Sequence, residues 1–541
     1  MLWTRSGARA ANLKLDRLRR LARAPLATPR QVLRLHEVLC VLRAYPDDMR
    51  ILMQVRRMLA RFARRPDFGR FAASLADTGI AGTEIRYRFF WPTARWLAAR
   101  WPSQLRLDRT DADAAEQLTR ALPLLAPAAA AEWLHSAKVP AYDAVDRLRG
   151  RRQASDAVCL VDLIERLPGD SFTREAFADG IDASFVLTPG PASPSRTHAH
   201  CSIAPFEFQS APMRRDRPDL RAALRVPPRA VRLLPQREGA TLIELARSAM
   251  VTRARDLMAF EYGSPDGVRL VDDGGGLAFA LCGVVAERRQ LLPAIFGGLM
   301  FRNGVPLGYV QLDMLGPYAA VSFNLFATFR GGEAAFLFSR LLAVTRHVFG
   351  GTRFSIEPYQ LGQGNDEAIE SGAWWFYYKL GFRPRDARGV RLARAETARL
   401  QANSRHRSSA RTLRALANGY LFFDAEPGRR STLPPVGALL ERATAQLATA
   451  GGGSTGQHAC EAQAHQLTGL RSLAGFSRAE RLLWRRWSPL LAILPQIARW
   501  SPAERRAVVE LVRAKGGRSE FEFLAGFATH RRLQRVLLER T

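Results

Sequence analysis

VSFNLFATFRGGEAAFLFSRLLAVTRHVFGGTRFSIEPYQLGQGNDEAIESGAWWFYYKLGFRPRD, residues 321–386, decides how the rest of this chain is read. It opens on a strand-like apolar run, 321–329, and meets the glycine pair Gly331-Gly332. A helix-period run over 334–348 follows and stops at Gly350-Gly351. A second strand is expected over 353–357, and a short aromatic helix ends in Lys379-Leu380-Gly381-Phe382. A strand that enters a helix through glycines leaves backbone N–H groups unpaired at the helix start. Those groups and the helix dipole favour an anion, and glycine allows close approach. Arg330 adds a cation beside the turn. Two glycines alone are more often an ordinary strand-to-helix turn, so the surrounding motifs carry the weight.

Those motifs, taken together, resemble the acetyl-CoA-binding core of the GNAT acyltransferase superfamily. The family's phosphate turn, Arg/Gln-x-x-Gly-x-Gly/Ala, is similar to Arg330-Gly331-Gly332-Glu333-Ala334-Ala335, with Glu333 where the family has its middle glycine. The family's closing motif is matched by Phe376-Tyr377-Tyr378-Lys379-Leu380-Gly381-Phe382, and its central hairpin by Asn303-Gly304-Val305-Pro306-Leu307-Gly308-Tyr309-Val310. The resemblance covers about 230–393. It implies an α+β fold with a mixed, mainly antiparallel sheet and helices on both faces. It also implies acetyl-CoA or another acyl-CoA as cosubstrate, held by Phe326, Ala327, Phe329, Arg330, Gly331, Gly332, Glu333, Ala334 and Ala335. The pantetheine arm would lie where the strand before the turn splays from the next one.

Acyl transfer to an amine needs a base for the amine and a proton for the departing thiolate. By the resemblance Tyr377 supplies that proton, with Tyr378 as the neighbouring alternative. Glu357, at the end of the second strand, is the first candidate base, ahead of Glu333 and Asp366; a strand-ending turn explains Glu357-Pro358 equally well. The family's Asn-x-x-Ala helix entry occurs at Asn365–Ala368, five residues before Ala373, which lengthens the loop 360–370. Its three acids, Asp366, Glu367 and Glu370, suggest a cationic or amine acceptor.

Outside this core the chain is harder to read. Its 541 residues predict about two to four domains. A helical N-terminal domain is expected over 1–170, a loop-rich connector over 171–229, the acyltransferase-like domain over 230–393, and a helical region over 394–541 with a flexible linker near 450–456. The triple glycine Gly274-Gly275-Gly276 reads as a hairpin turn, because no helix follows it. His198, His200 and Cys201 lack a fourth ligand at zinc spacing, so a metal site is not expected.

The net charge is +30, and lysine occurs only as Lys14, Lys138, Lys379 and Lys515. A positive charge of this size favours nucleic acid or anionic membrane, but the interleaved acids read as solvated helix faces. Five dispersed cysteines suit a reducing, cytoplasmic setting. No signal peptide and no transmembrane segment is expected. The alternative function is a noncatalytic GNAT-like scaffold that binds a protein or nucleic acid through arginine-rich helices.

Overall fold

The structure is a computed structural model describing residues 7–151, 153–202, 206–428 and 430–538. The chain forms a mixed α+β fold around a mostly antiparallel open sheet. Three short strands, β1 (Ile85–Tyr87), β2 (Leu105–Leu107) and β3 (Phe185–Leu187), form a small antiparallel sheet of order β1-β3-β2. Among the described residues the central sheet has nine strands: β4 (Ala230–Leu233), β5 (Arg269–Gly274), β6 (Leu277–Gly283), β7 (Ala294–Arg302), β8 (Val305–Leu315), β9 (Tyr318–Leu325), β10 (Arg353–Ile356), β11 (Arg383–Pro384) and β12 (Leu421–Asp424). They lie in the order β11-β12-β10-β9-β8-β7-β6-β5-β4. Among the described strands only β9 and β10 run parallel. A parallel pair needs a crossover, and the helix Ala334–Phe349 supplies it.

Alternation along β8 and β9 explains the layering. On β9, Ala319, Val321, Phe323 and Leu325 are buried, while Tyr318, Ala320, Ser322 and Asn324 are half-exposed. The buried set packs on the crossover helix, with the Phe323 and Phe338 rings 5.2 Å apart. The helices Gln236–Val251 and Met258–Glu261 cover the opposite face of the sheet's other half. A Cβ added to Gly297 on β7 would stand 2.9 Å from the Ala259 Cβ. The β7–β8 hairpin turns at Asn303 (φ 49°) and Gly304 (φ 75°), the two positive-φ positions of a tight hairpin. Gly304 is also needed for space: a Cβ there would lie 1.8 Å from the carbonyl oxygen of Cys201.

Several boundaries differ from the sequence reading. The strand expected over 321–329 begins at Tyr318 and ends at Leu325, and Ala327–Phe329 curl into a 3-10 turn. The sheet does not end near 393: β12 lies in the region expected to be helical and inserts between β10 and β11. Four residues, Leu-Phe-Phe-Asp, are too few to show a period, so only their partners reveal the strand. For the same reason β1, β2 and β3 escaped the reading of 1–170 as helical and of 171–229 as loop-rich. That connector also holds the helices Ser171–Ile181 and Leu220–Arg225.

The stretch 450–456, expected to be a flexible linker, is a tight turn between the helices Val436–Thr449 and Gly453–Thr468. Gly451, Gly452 and Gly453 all have positive φ, and a Cβ on Gly456 would lie 2.2 Å from the Leu447 carbonyl oxygen. Glycine here brings two helices together; it does not separate domains. The largest core is continuous from the sheet into these C-terminal helices and includes Trp484, Trp487 and Trp500. Two further cores lie in the N-terminal region. Among the described residues no helix is long and apolar enough to cross a membrane.

Candidate functional site

The parallel pair is paired over a short distance only. Tyr318, Ala319 and Ala320 face Arg353, Phe354 and Ser355, and beyond them β9 continues to Leu325 without β10 at its side. The chain leaves β10 at Glu357-Pro358 into the short helix Pro358–Leu361. The two strands therefore open a gap that leads towards the glycine turn.

At the turn Gly331 adopts φ 82°, and the helix Ala334–Phe349 starts after it. Among the described residues, the N–H groups of Gly331, Glu333, Ala334, Ala335 and Phe336 donate to no protein acceptor. Gly332 donates weakly to Phe329 O at 3.4 Å, and Leu337 N–H reaches Glu333 O at 2.9 Å. Unpaired donors at the positive end of a helix are suited to an anion.

Glu333 is only 6% exposed and is engaged by the N-terminal part of the chain. Its Oε1 accepts from Arg214 N–H at 3.1 Å. Burial and this carboxylate push the Tyr45 hydroxyl pKa up. Arg330 donates through Nε to Leu325 O at 3.1 Å and pairs with Glu367. Phe326 and Phe329 are buried, whereas Ala327 is exposed.

Glu357 lines a cavity of about 250 Å³ on the face of the sheet that carries Ser322 and Asn324. Strand register assembles its floor: Asp313 lies opposite Ala320, Ala320 opposite Ser355, and Ser355 opposite Phe422. Tyr318, Arg353 and Tyr420 complete the polar lining, and Ser431–Pro434 close it from above. Arg353 Nη1 donates to the Tyr318 hydroxyl at 2.6 Å. Burial pushes the Asp313 carboxyl up to about 6; the Gln311 amide, 3.0 Å away, opposes this and the Glu357 charge adds to it. A carboxylate tuned close to neutral pH beside a second carboxylate is equipped for proton abstraction. The sequence reading missed Asp313, although the alternation Tyr309-Val310-Gln311-Leu312-Asp313 puts it with Gln311 on the polar side of the strand.

Tyr377 lies on the other face. It is 3% exposed and packs edge-on against Phe338 (5.3 Å) and Phe382 (6.0 Å). Burial raises its pKa, and among the described residues nothing hydrogen-bonds its hydroxyl. Tyr378 points elsewhere, stacked 4.8 Å from the Trp374 ring and 4.2 Å beneath the Arg383 guanidinium. Tyr377 and Glu357 are thus separated by the sheet and can act on one molecule only through the gap between β9 and β10.

Two of the three acids in the loop 360–370 are neutralised by arginine. Asp366 pairs with Arg414 at 2.9 Å. Glu367 is gripped by Arg330 and by Arg255, whose Nη2 reaches both carboxylate oxygens at 2.7 and 2.9 Å. The negative mouth expected from composition is therefore largely cancelled. His200 and Cys201 lie beside the Gly304 turn, where Cys201 N–H donates to Gly304 O at 2.9 Å, whereas His198 N–H donates to Ser195 Oγ at 3.2 Å. Among the described residues no group of three or more His, Cys, Asp or Glu side chains could hold a metal ion. No protein-family model, no curated protein and no solved structure matches the chain.

Proposed function

We propose that this chain is an acyl-CoA-dependent N-acyltransferase of GNAT type, working in the cytoplasm, and that the gap between β9 and β10 receives the pantetheine arm. The observation that carries this reading is the parallel strand pair that parts after three residue pairs and leads into a helix start with unpaired N–H groups. The turn would take the pyrophosphate, and the free edge of β9 would pair with the arm as an added strand would.

In this reading an amine enters from the cavity face and gives its proton to the Asp313–Glu357 pair, directly or through water. Its nitrogen attacks the thioester carbonyl, and the tetrahedral intermediate collapses as the carbon–sulfur bond breaks. The sulfur leaves on the opposite face, where Tyr377 donates its phenolic proton. Asp313 joins Glu357 as a base because its raised pKa matches the task. Glu333 leaves the turn usable, since its carboxylate is drawn into the contact with Arg214 and Tyr45.

The scaffold alternative also has an observation in its favour. Arg330 is committed to Glu367 and to Leu325 O, so an incoming anion must displace a carboxylate that is already seated. Thermal unfolding with acetyl-CoA and longer acyl-CoAs decides between the two. A ligand that binds only the native state raises the melting temperature, and free CoA released in the presence of amines reports turnover. No shift with any acyl-CoA would leave the scaffold reading standing.

A further inference from the structure

Past β11 the chain builds a surface that the turn and the gap do not use. Over 387–417 it carries eight arginines and a single acid, Glu396. That acid is 1% exposed and already engaged. It accepts from Arg399 Nη1 at 2.6 Å, His406 Nε2 at 3.0 Å and Ser408 Oγ at 2.7 Å. Arg414 pairs with Asp366. The other six, Arg388, Arg391, Arg394, Arg405, Arg407 and Arg411, are exposed and form no ion pair among the described residues.

The helices group these side chains. In the helix Ala387–Ala402 the buried residues Gly389, Ala393 and Glu396 lie four and three apart and mark the face turned to the protein. Arg388, Arg391 and Arg394 recur every three residues on the opposite face, about 4.5 Å apart along the axis. The helix Ala410–Leu416 returns alongside. The loop between the two is tied to the first by the bonds of His406 and Ser408 to Glu396. At the other end, a Cβ on Gly419 would stand 2.7 Å from the Asp386 carboxylate.

A pocket of about 400 Å³ opens at that end. Arg388 stands beside it, Tyr420 and Phe422 supply aromatic surface, and Asp386 and Asn418 supply hydrogen-bonding groups. Tyr420 and Phe422 also line the cavity of Asp313 and Glu357, so the two hollows adjoin. Six uncompensated cations suit a partner with repeated negative charge. Among the described residues no exposed large apolar side chain falls within 387–417, so this face has nothing to sink into a bilayer. An acidic protein would meet the charges and leave the aromatic pocket unused. A nucleic acid strand uses both, with phosphates on arginine and an unstacked base against a ring.

We infer that this surface binds single-stranded nucleic acid, with Arg388, Arg391 and Arg394 on its phosphates and one base against Tyr420. The surface includes neither the glycine turn nor the gap between β9 and β10. The inference therefore holds whether the centre is catalytic or a scaffold, and it is tested without acyl-CoA.

Fluorescence anisotropy of the full chain with a labelled RNA strand of about 12 nucleotides makes the test. Between about 50 and about 200 mM salt the affinity should fall with a log–log slope of about −2 or steeper, as three or more neutralised phosphates require. The triple variant Arg388→Gln, Arg391→Gln, Arg394→Gln should bind about tenfold more weakly or worse, with a slope shallower by about 2. A chain of net charge +30 attracts any polyanion, so a control removes three exposed arginines at the opposite end of the sheet, beside β4. Arg225→Gln, Arg229→Gln, Arg232→Gln should leave affinity within about twofold of the parent. All six substituted arginines are exposed and unpaired among the described residues, so both triple variants should melt with the parent. Tyr420→Ala should cost about tenfold for the single strand and little for a duplex, and Tyr420→Phe should bind like the parent. Equal weakening in the two triple variants would overturn the inference, as would a duplex bound as tightly as the single strand. So would competition by polyglutamate as strong as by unlabelled RNA, or binding to phosphatidylserine vesicles without binding to RNA.

Discussion

The Tyr377 ring packs among Phe338, Phe376 and Phe382, and its hydroxyl has no hydrogen-bond partner among the described residues. A hydroxyl that bonds to nothing in the protein adds little to the fold, so deleting it tests chemistry and not packing. Tyr377→Phe should therefore melt at or above the parent temperature, keep acyl-CoA binding and lose about 10²-fold in turnover. Unchanged turnover would remove Tyr377 from the chemistry. On the other face, Asp313 is raised to about 6 by burial, with the Glu357 charge contributing. As a base it must be deprotonated, so kcat/KM should rise with pH through a midpoint near that value. Glu357→Gln deletes a negative neighbour, which makes ionisation of Asp313 easier and moves the midpoint to lower pH. A midpoint that stays in place in Glu357→Gln, or that persists in Asp313→Asn, would show that another group sets the profile.

At the scale of elements, the short helix Met258–Glu261 is where the sheet meets the N-terminal region. Glu261 is 5% exposed, and Thr93 Oγ1 donates to it at 3.4 Å. Burial, and then the Asp256 carboxylate, hold its pKa far above the ordinary glutamate range; burial raises Asp256 as well. The folded state therefore binds protons that the unfolded state has already released. Stability from this pair is full below the ordinary carboxylate pKa and is lost as pH rises through the raised folded values. Chemical denaturation at about pH 5 and about pH 9 should show lower stability at the higher pH. Glu261→Gln cannot ionise, so the loss should shrink in that variant. An equal loss in the variant and the parent would assign the effect to other groups.

At the scale of the molecule, the C-terminal helices belong to the same core as the sheet. One buried ion pair marks the joint: Lys515 and Glu520 are both 0% exposed and 2.7 Å apart, and Lys515 Nζ also donates to Pro293 O at 2.7 Å, just before β7. Removing one partner leaves an uncompensated buried charge. Glu520→Ala should cost about 3–5 kcal/mol in denaturant unfolding, whereas replacing both residues by apolar ones of similar size should recover most of that loss. If the double replacement is as damaging as the single one, the pair is contributing through geometry and not through charge. Some of the arginines form ion pairs that tie distant segments together. Arg288 pairs with Glu175, and Arg340 with Asp273, across long stretches of chain.

By itself the sequence determined the local elements of the centre. The central hairpin with its turn at Asn303-Gly304, the helix-period run from Ala334 and the strand at Arg353 all appear where the sequence puts them. Periodicity reports which face a segment buries, and that information is local. What meets across the sheet is not local. Asp313 comes beside Glu357, β12 slips between β10 and β11, and the sheet parts Glu357 from Tyr377 because of strand order. Strand order is chosen by the packing of the whole core, in which residues more than a hundred positions apart compete for the same edge. Arg253 shows the same limit: it is an ordinary polar residue in the sequence, and only tertiary folding lays its guanidinium 3.5 Å over the Phe326 ring.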